Sequence, residues 1–241
     1  MPSFEDTCLV LATYNEASNL TNLIPRLLEI VPGARIIVVD DNSPDGTPDL
    51  LARFATEAPR VVPLVRPGKQ GYGSAVLAGF RKALELGAAK VVTMDSDFSH
   101  DPESVPQLIE ALDHADISIG SRYFQGVRIL NWHVSRLLLS LFANRYVKTI
   151  LGFKVEDATS GFRAYRRPAI EAIVAAPLRS QGYSFLVEIL YGAHRKGFSM
   201  IEVPIIYAER REGQSKMSKG VIMEAVFRPW NLRFRALLGL K

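Results

Sequence analysis

Along the first half of the chain, apolar residues fall into short runs at 8–12, 36–39, 61–65, 91–94 and 117–119. Such runs are near-continuous rather than alternating, as expected of strands covered on both faces. Between them, near residues 19–30, 47–57, 73–86 and 102–112, apolar positions recur every three or four residues. That spacing marks helices with one face on a core. Strands alternating with helices predict βαβ units, hence an α/β protein with a mainly parallel sheet flanked by helices.

Ligands of open α/β sheets gather beyond the carboxyl ends of the strands. Three such ends are acidic here. Thr13-Tyr14-Asn15-Glu16 follows the first run, Asp40-Asp41-Asn42-Ser43 the second, and Asp95-Ser96-Asp97 the fourth. Residues i and i+2 of a strand point the same way, so Asp95 and Asp97 crowd two like charges unless a cation joins them. Hard carboxylate oxygens suit Mg²⁺ or Mn²⁺ and leave coordination positions for substrate phosphates. The competing role for these acids, capping the helix that begins near Pro102, can be filled by Ser99 or Asp101 instead.

The chain has 241 residues, 48% hydrophobic and 22% charged, enough for one large domain or a domain with an appendage. Its net charge of +4 is unevenly placed: residues 210–241 hold eight Lys/Arg against two Asp/Glu, which leaves the part before them slightly acidic. The tail is therefore the element expected to meet an anionic ligand or surface. Glu5 and Asp6 stand where a secretory leader would be cationic, and no apolar run is long enough to span a bilayer. The single cysteine, Cys8, fits a reducing compartment and sits in an apolar run, where packing is its expected role.

Other motifs are more ambiguous. In Asp40-Asp41-Asn42-Ser43-Pro44-Asp45-Gly46 the Pro and Gly mark a turn, with Asp45 or Asn42 bonding the backbone and Asp41 free to reach a nucleoside. Gly68-Lys69-Gln70-Gly71-Tyr72-Gly73 lacks P-loop spacing and reads as a glycine-rich turn opening a helix. Gly120-Ser121-Arg122-Tyr123 brings an arginine to the sheet edge. Arg136 and Ser140, four apart, share a helix face and suit a phosphate monoester, though a surface arginine beside an interior serine is an equal account. The four histidines have no metal-ligand spacing, and His100, close to the acids, is expected to be structural or to support those acids from behind.

Taken in order, Thr13-Tyr14-Asn15-Glu16, Val38 to Thr47, Met94-Asp95-Ser96-Asp97-Phe98-Ser99-His100, Gly120-Ser121-Arg122-Tyr123, Ser160-Gly161-Phe162-Arg163, Arg210 and Gly213-Gln214-Ser215-Lys216 form a set. That set resembles the polyprenyl-phosphate (dolichol-phosphate) mannosyltransferases of the family 2 glycosyltransferases. The resemblance implies a GT-A, Rossmann-like fold and inverting, metal-dependent transfer of mannose from GDP-mannose to a polyprenyl or dolichyl phosphate. By motif, Ala12, Tyr14, Glu16, Val39 and Asp41 would hold the nucleoside. Asp95 and Asp97 would carry Mg²⁺ or Mn²⁺ with Ser96 beside the donor, Arg210 and Lys216 would reach the diphosphate, and Arg122, Arg136 and Ser140 the acceptor phosphate. Two departures stand out: Ala12 replaces a frequent proline, and Ser99 replaces a glutamine that serves some members as a third metal ligand.

Residues 1–220 are thus expected to form the GT-A domain and 221–241 a basic amphipathic segment at a membrane interface, with Pro229 breaking any single long helix. The competing account is a terminal helix packed on its own domain. A peripheral protein on the cytoplasmic face of a membrane is expected, with a separate membrane-anchoring subunit left open as a partner. UDP-glucose or another nucleotide sugar as donor, or a non-catalytic nucleotide-sugar-binding subunit, are the alternatives. Nucleic acid is not an expected partner, because the basic tail carries no reading module.

Overall fold

The computed structural model describes residues 4–177, 180, 184–208 and 219–238. In chain order the elements are β1 (Thr7–Thr13), α1 (Ala17–Ile30), β2 (Arg35–Asp40), α2 (Thr47–Glu57), β3 (Val61–Val65), α3 (Tyr72–Glu85), β4 (Lys90–Asp95), α4 (Val105–Ala111) and β5 (Ile117–Ser121). There follow β6 (Ile129–Leu130), α5 (Val134–Leu151), β7 (Arg163–Arg166), α6 (Arg167–Val174), α7 (Ser184–Arg195), β8 (Met200–Pro204), β9 (Tyr207–Ala208) and α8 (Lys219–Leu237).

Seven strands form one sheet in the order β3-β2-β1-β4-β7-β5-β8, with only β7 antiparallel to its neighbours, and β6 and β9 pair as a small ribbon. The expected mainly parallel α/β sheet is what forms. β7 and β8, outside the predicted strands, are short, and β7 carries two arginines in four residues, so an apolar-run criterion passes over it.

Alternate strand residues serve opposite faces. Val10, Ile37 and Val39 point into a layer with Phe80, Ile170 and Phe185 from α3, α6 and α7. Leu9, Leu11, Ile36 and Val38 meet Leu23, Leu51 and Leu108 from α1, α2 and α4. Close approach needs glycine at one point: a Cβ on Gly79 would sit 2.3 Å from a Val10 methyl, so α3 lies directly on β1. Cys8 is fully buried in the first layer, and burial pushes its thiol up to about 11, consistent with packing rather than reactivity.

The expectation for Pro229 is corrected. α8 runs through it as one helix of 19 residues. A proline inside a helix forfeits one backbone bond, and tertiary packing offsets that loss here. The Tyr146 hydroxyl donates to the Val226 carbonyl at 2.7 Å, and Arg228 bonds both oxygens of Glu188 on α7 at 2.9 and 3.0 Å. Burial opposes the charge of Glu188, yet Ser180 and Arg228 bring its pKa below the ordinary glutamate value. No helix among the described residues is long and apolar enough to cross a membrane.

Candidate active site

Register sets the acidic rim. β1 lies between β2 and β4 in parallel, with Thr13 opposite Asp40 and Ala12 opposite Asp95. The three acidic strand ends therefore adjoin one another. Asp40 accepts from the backbone and hydroxyl of Ser43, while Ser43 Oγ accepts the Asn15 N–H at 2.9 Å and Asp45 the Ala17 N–H at 3.0 Å. The loop after β2 thus fastens the loop after β1. Asp45 also takes the Thr47 N–H and hydroxyl, so it is the turn residue it was expected to be.

Asp41 is more engaged than its sequence suggests. It pairs with buried Arg66, whose Nε donates to Oδ1 at 2.6 Å, and its Oδ2 accepts the N–H groups of Gln70 and Gly71. The carboxylate holds the glycine-rich turn that opens α3. Arg66 was not singled out from sequence, since nothing local distinguishes it from a surface arginine. From the same turn, the Lys69 ammonium lies 4.4 Å from the centroid of the Tyr14 ring. Glu16 accepts from Asn19, Val39 is fully buried with its side chain in the core, and Ala12 is half-buried at the rim.

Asp95 ends β4 and is half-buried, Ser96 and Asp97 are buried, and Asp97 accepts the Ser99 N–H at 3.0 Å. Space beside Asp95 is kept by a glycine: a Cβ on Gly161 would lie 2.8 Å from Tyr72 Oη and 3.5 Å from Asp95 Oδ1. No group of three or more candidate metal ligands occurs among the described residues. Two hard carboxylates, one beside the space that Gly161 keeps, fit an ion that takes its remaining ligands from water and substrate phosphate, as Mg²⁺ does.

His100 supports this rim. It is buried, stacks on Phe162 at 4.9 Å, and its Nδ1 accepts the Asp95 N–H at 3.1 Å. Burial lowers its pKa against the pull of Asp95 and Asp97, so the imidazole is held neutral. The structural role expected of His100 is what these contacts describe.

A second cluster follows β5. Arg122 is buried, and its backbone N–H, Nε and Nη2 all bond Asp157 at 2.7–3.0 Å, with Nη2 also 2.7 Å from Thr159 Oγ1. Burial works against both charges. Their mutual attraction prevails, raising the Arg122 pKa and lowering that of Asp157. The rings of Tyr123, Trp132 and Tyr207 surround this guanidinium at 5.4–5.7 Å. Asp157 lies just ahead of the Ser160–Arg163 motif, and only the antiparallel entry of β7 reveals that it belongs here. On α5, Ser140 accepts from Tyr123 Oη at 2.6 Å, and exposed Arg136 stacks 4.0 Å from the Trp132 centroid. Arg122, Arg136 and Ser140 are thus brought together. Arg210 and Lys216 lie outside the described residues.

Tyr207 connects the two clusters. It bridges to His100 in the backbone, its ring sits 5.4 Å from the His100 ring and 5.4 Å from Arg122, and Ala208 N–H donates to the Ser99 carbonyl.

Beyond the second cluster, α5 and α8 pack together and present exposed apolar side chains to solvent. Leu138, Leu139, Phe142, Phe227, Phe234 and Leu237 are 56–67% exposed. Between these helices runs an open groove of about 600 Å³ whose lining includes Phe142, Tyr146 and Trp230, with Arg145 and Arg233.

Comparison with known proteins agrees with the fold. The glycosyl transferase family 2 model matches residues 8–174. An undecaprenyl-phosphate mannosyltransferase of Micrococcus luteus is 42% identical over 238 residues, covering 96% of this chain and 98% of that protein. A polyprenol monophosphomannose synthase of Mycolicibacterium smegmatis is 43% identical over 233 residues, covering 95% and 88%. Among solved structures, the fold is similar to that of a mannosyltransferase from Pyrobaculum calidifontis in complex with GDP-Man and Mn²⁺. The TM-score is 0.60 at 15% identity, over 98% of this chain and 65% of that one. An acidic rim on a GT-A sheet, a family model over most of the chain and relatives alike almost end to end lead to one assignment: the chain belongs to glycosyl transferase family 2 and is a glycosyltransferase.

Proposed function

We propose that the enzyme transfers mannose from GDP-mannose to a polyprenyl phosphate, with inversion at the anomeric carbon and dependence on Mg²⁺ or Mn²⁺. The observation that carries this reading is the linkage through His100 and Tyr207, which sets an acidic pair on one side and an arginine-rich cluster on the other. A nucleotide sugar and a phosphorylated acceptor are the two substrates that such opposite charges suit. The names of the relatives and the GDP-Man complex of the structural neighbour support mannose and a polyprenyl acceptor.

Asp95 and Asp97 are the residues to hold the divalent ion, and its chemistry when bound is Lewis-acid stabilisation of charge on a departing diphosphate. In this reading Arg210 and Lys216 serve the same diphosphate, while Tyr14, Glu16 and the Asp41-anchored turn accommodate the nucleoside. The nucleophile is a phosphate oxygen. A phosphate monoester has a second pKa near 6 and is largely ionised at neutral pH, so it needs alignment rather than a strong base. Arg122, Arg136 and Ser140 supply that alignment. His100, held neutral and already accepting the Asp95 N–H, takes no proton from the acceptor.

A lipid acceptor also accounts for the exposed apolar face of α5 and α8. Its aromatic residues, flanked by Arg145 and Arg233, suit peripheral contact with an anionic membrane surface, where each nearby cation adds about 1 kcal/mol. The reading places this contact on the cytoplasmic face.

The test supplies the purified chain with radiolabelled GDP-mannose or UDP-glucose, a polyprenyl phosphate, and Mg²⁺, Mn²⁺ or chelator, then counts the lipid extract. Label is expected in lipid from GDP-mannose with either ion and not with chelator. Lipid labelled only from UDP-glucose, or equally well under chelation, overturns the donor or the metal assignment respectively.

A further inference from the structure

The cluster around Arg122 contains two aromatic side chains, Trp132 and Tyr123, to which the resemblance gives no role. Trp132 precedes α5 and is half-buried. Its ring has the Arg136 guanidinium 4.0 Å from the centroid and that of Arg122 at 5.7 Å, and its edge meets Tyr207. Its indole N–H is buried with no hydrogen-bond partner among the described residues. A buried donor of this kind carries a desolvation cost unless something brings it an acceptor. Beside two guanidinium groups, an anionic oxygen is the acceptor that charge favours.

Tyr123 meets Ser140 directly. A phenol is the more acidic partner when it meets an aliphatic hydroxyl, so Tyr123 Oη donates and Ser140 Oγ accepts at 2.6 Å. Burial raises the Tyr123 pKa, which keeps that proton in place. The serine hydroxyl then keeps its own hydrogen to donate elsewhere. Its backbone is fixed as well: Asn144 Nδ2 donates to the Ser140 carbonyl at 3.1 Å and to Thr159 Oγ1 at 3.2 Å, and Thr159 accepts from Arg122. A continuous hydrogen-bonded path joins Tyr123, Ser140, Asn144, Thr159, Arg122 and Asp157.

We propose that Trp132 and Tyr123 are positioning residues of the acceptor site. Trp132 holds the Arg136 guanidinium over its ring and offers its own N–H, and Tyr123 leaves the Ser140 hydroxyl hydrogen free to donate, so that a phosphate monoester meets a preformed grip. Arg136 is exposed and long, and a side chain of that kind loses much rotamer freedom when it closes on a ligand. Stacking on an indole orders the guanidinium beforehand, so less freedom is lost when it meets a ligand. This inference rests on the reading that Arg122, Arg136 and Ser140 receive a phosphorylated acceptor.

The experiment is steady-state kinetics of the full chain with radiolabelled GDP-mannose and a polyprenyl phosphate, varying each substrate in turn. Variants are Tyr123→Phe, Trp132→Phe, Trp132→Leu and Arg136→Ala. Tyr123→Phe and Trp132→Leu are expected to raise KM for the lipid phosphate about tenfold, as loss of one charge-assisted contact does, with KM for GDP-mannose unchanged within about twofold. Trp132→Phe keeps a ring for the arginine but no N–H, so it should fall between Trp132→Leu and the parent. Should Arg136→Ala raise the acceptor KM while Tyr123→Phe and Trp132→Leu leave it alone, or shift both KM values together, the positioning role is overturned and the acceptor site stands. An unchanged acceptor KM in Arg136→Ala overturns the acceptor reading itself, and this inference with it.

Discussion

The rim at the ends of β1, β2 and β4 and the cluster around α5 solve the problem of holding charge in different ways. On the rim, backbone N–H groups reach every carboxylate loop, and Arg66 adds a side-chain partner at Asp41. Asp41 and Asp97 accept N–H groups of their own or a neighbouring loop, Asp95 has its N–H taken by a neutral histidine, and strand register fixes the spacing. In the α5 cluster side chains hold side chains: Arg122 is locked by Asp157, Arg136 by Trp132, and Ser140 by Tyr123. Backbone-held charge is robust to substitution of neighbours. Side-chain-held charge fails at each link, which makes the second region the more tunable of the two.

The sharpest way to break this comparison is Asp97→Ala. Transfer is expected to fall about 10³-fold, as when a group stabilising developing charge is removed, while circular dichroism and thermal midpoint stay close to the parent because the bond from the Ser99 N–H is local to its own loop. Near-normal turnover would remove the rim from the chemistry. Next in size is Asp157→Ala, which leaves Arg122 buried without its carboxylate. A destabilisation of about 3 kcal/mol is expected, read from denaturant unfolding, and an unchanged midpoint would show that the pair is dispensable.

Acid titration sharpens the same point. The pKa of Asp157 is lowered in the folded state, so its contribution to stability is present above its unfolded value of about 3.9 and is lost as pH falls through the folded value. Asp157→Asn should flatten that limb of the stability-against-pH curve. A curve of unchanged slope would place the acid sensitivity elsewhere.

Smaller effects belong to the surface. Replacing Phe142 and Phe234 together by serine should weaken co-sedimentation with anionic vesicles about tenfold, since two exposed aromatic rings lose their apolar transfer energy. Binding equal to the parent would return α8 to the role of a helix packed on its own domain. Smallest is Arg228→Gln, expected to cost about 1 kcal/mol of stability through its part-buried bonds to Glu188, which keeps the Ser180 N–H as a partner. Hydrogen exchange confined to α8 would register it, and exchange no faster than the parent's would argue that α5 alone retains the helix.

The rim was readable before any coordinates because its acidic residues sit at strand ends, and strand ends can be found from apolar runs. Asp95, Asp97 and the turn at Asp45 followed from that alone. What escaped was held by long-range pairing. Nothing local marks Arg66 as the partner of Asp41 or Asp157 as that of Arg122, because 25 and 35 residues separate them in sequence. Strand β7 escaped for a related reason: Arg163 is fully buried by donating to the carbonyls of Leu186 and Ala158, a solution that an expectation of apolar cores does not contain. Helix α8 passed through Pro229 because two other helices supply what the proline forfeits.

The one antiparallel strand has a metric consequence. β7 stands between β4 and β5, so the segment carrying Asp95 and the segment carrying Arg122 are two inter-strand spacings apart, about 10 Å. Without that spacer the carboxylates and the guanidinium would be adjacent and would quench each other. A strand running against its neighbours also begins where they finish, which is how Asp157 and Gly161 arrive at the acidic edge of the sheet from so far along the chain. The gauge between acid and arginine is thus set by the four residues of the strand that separates them.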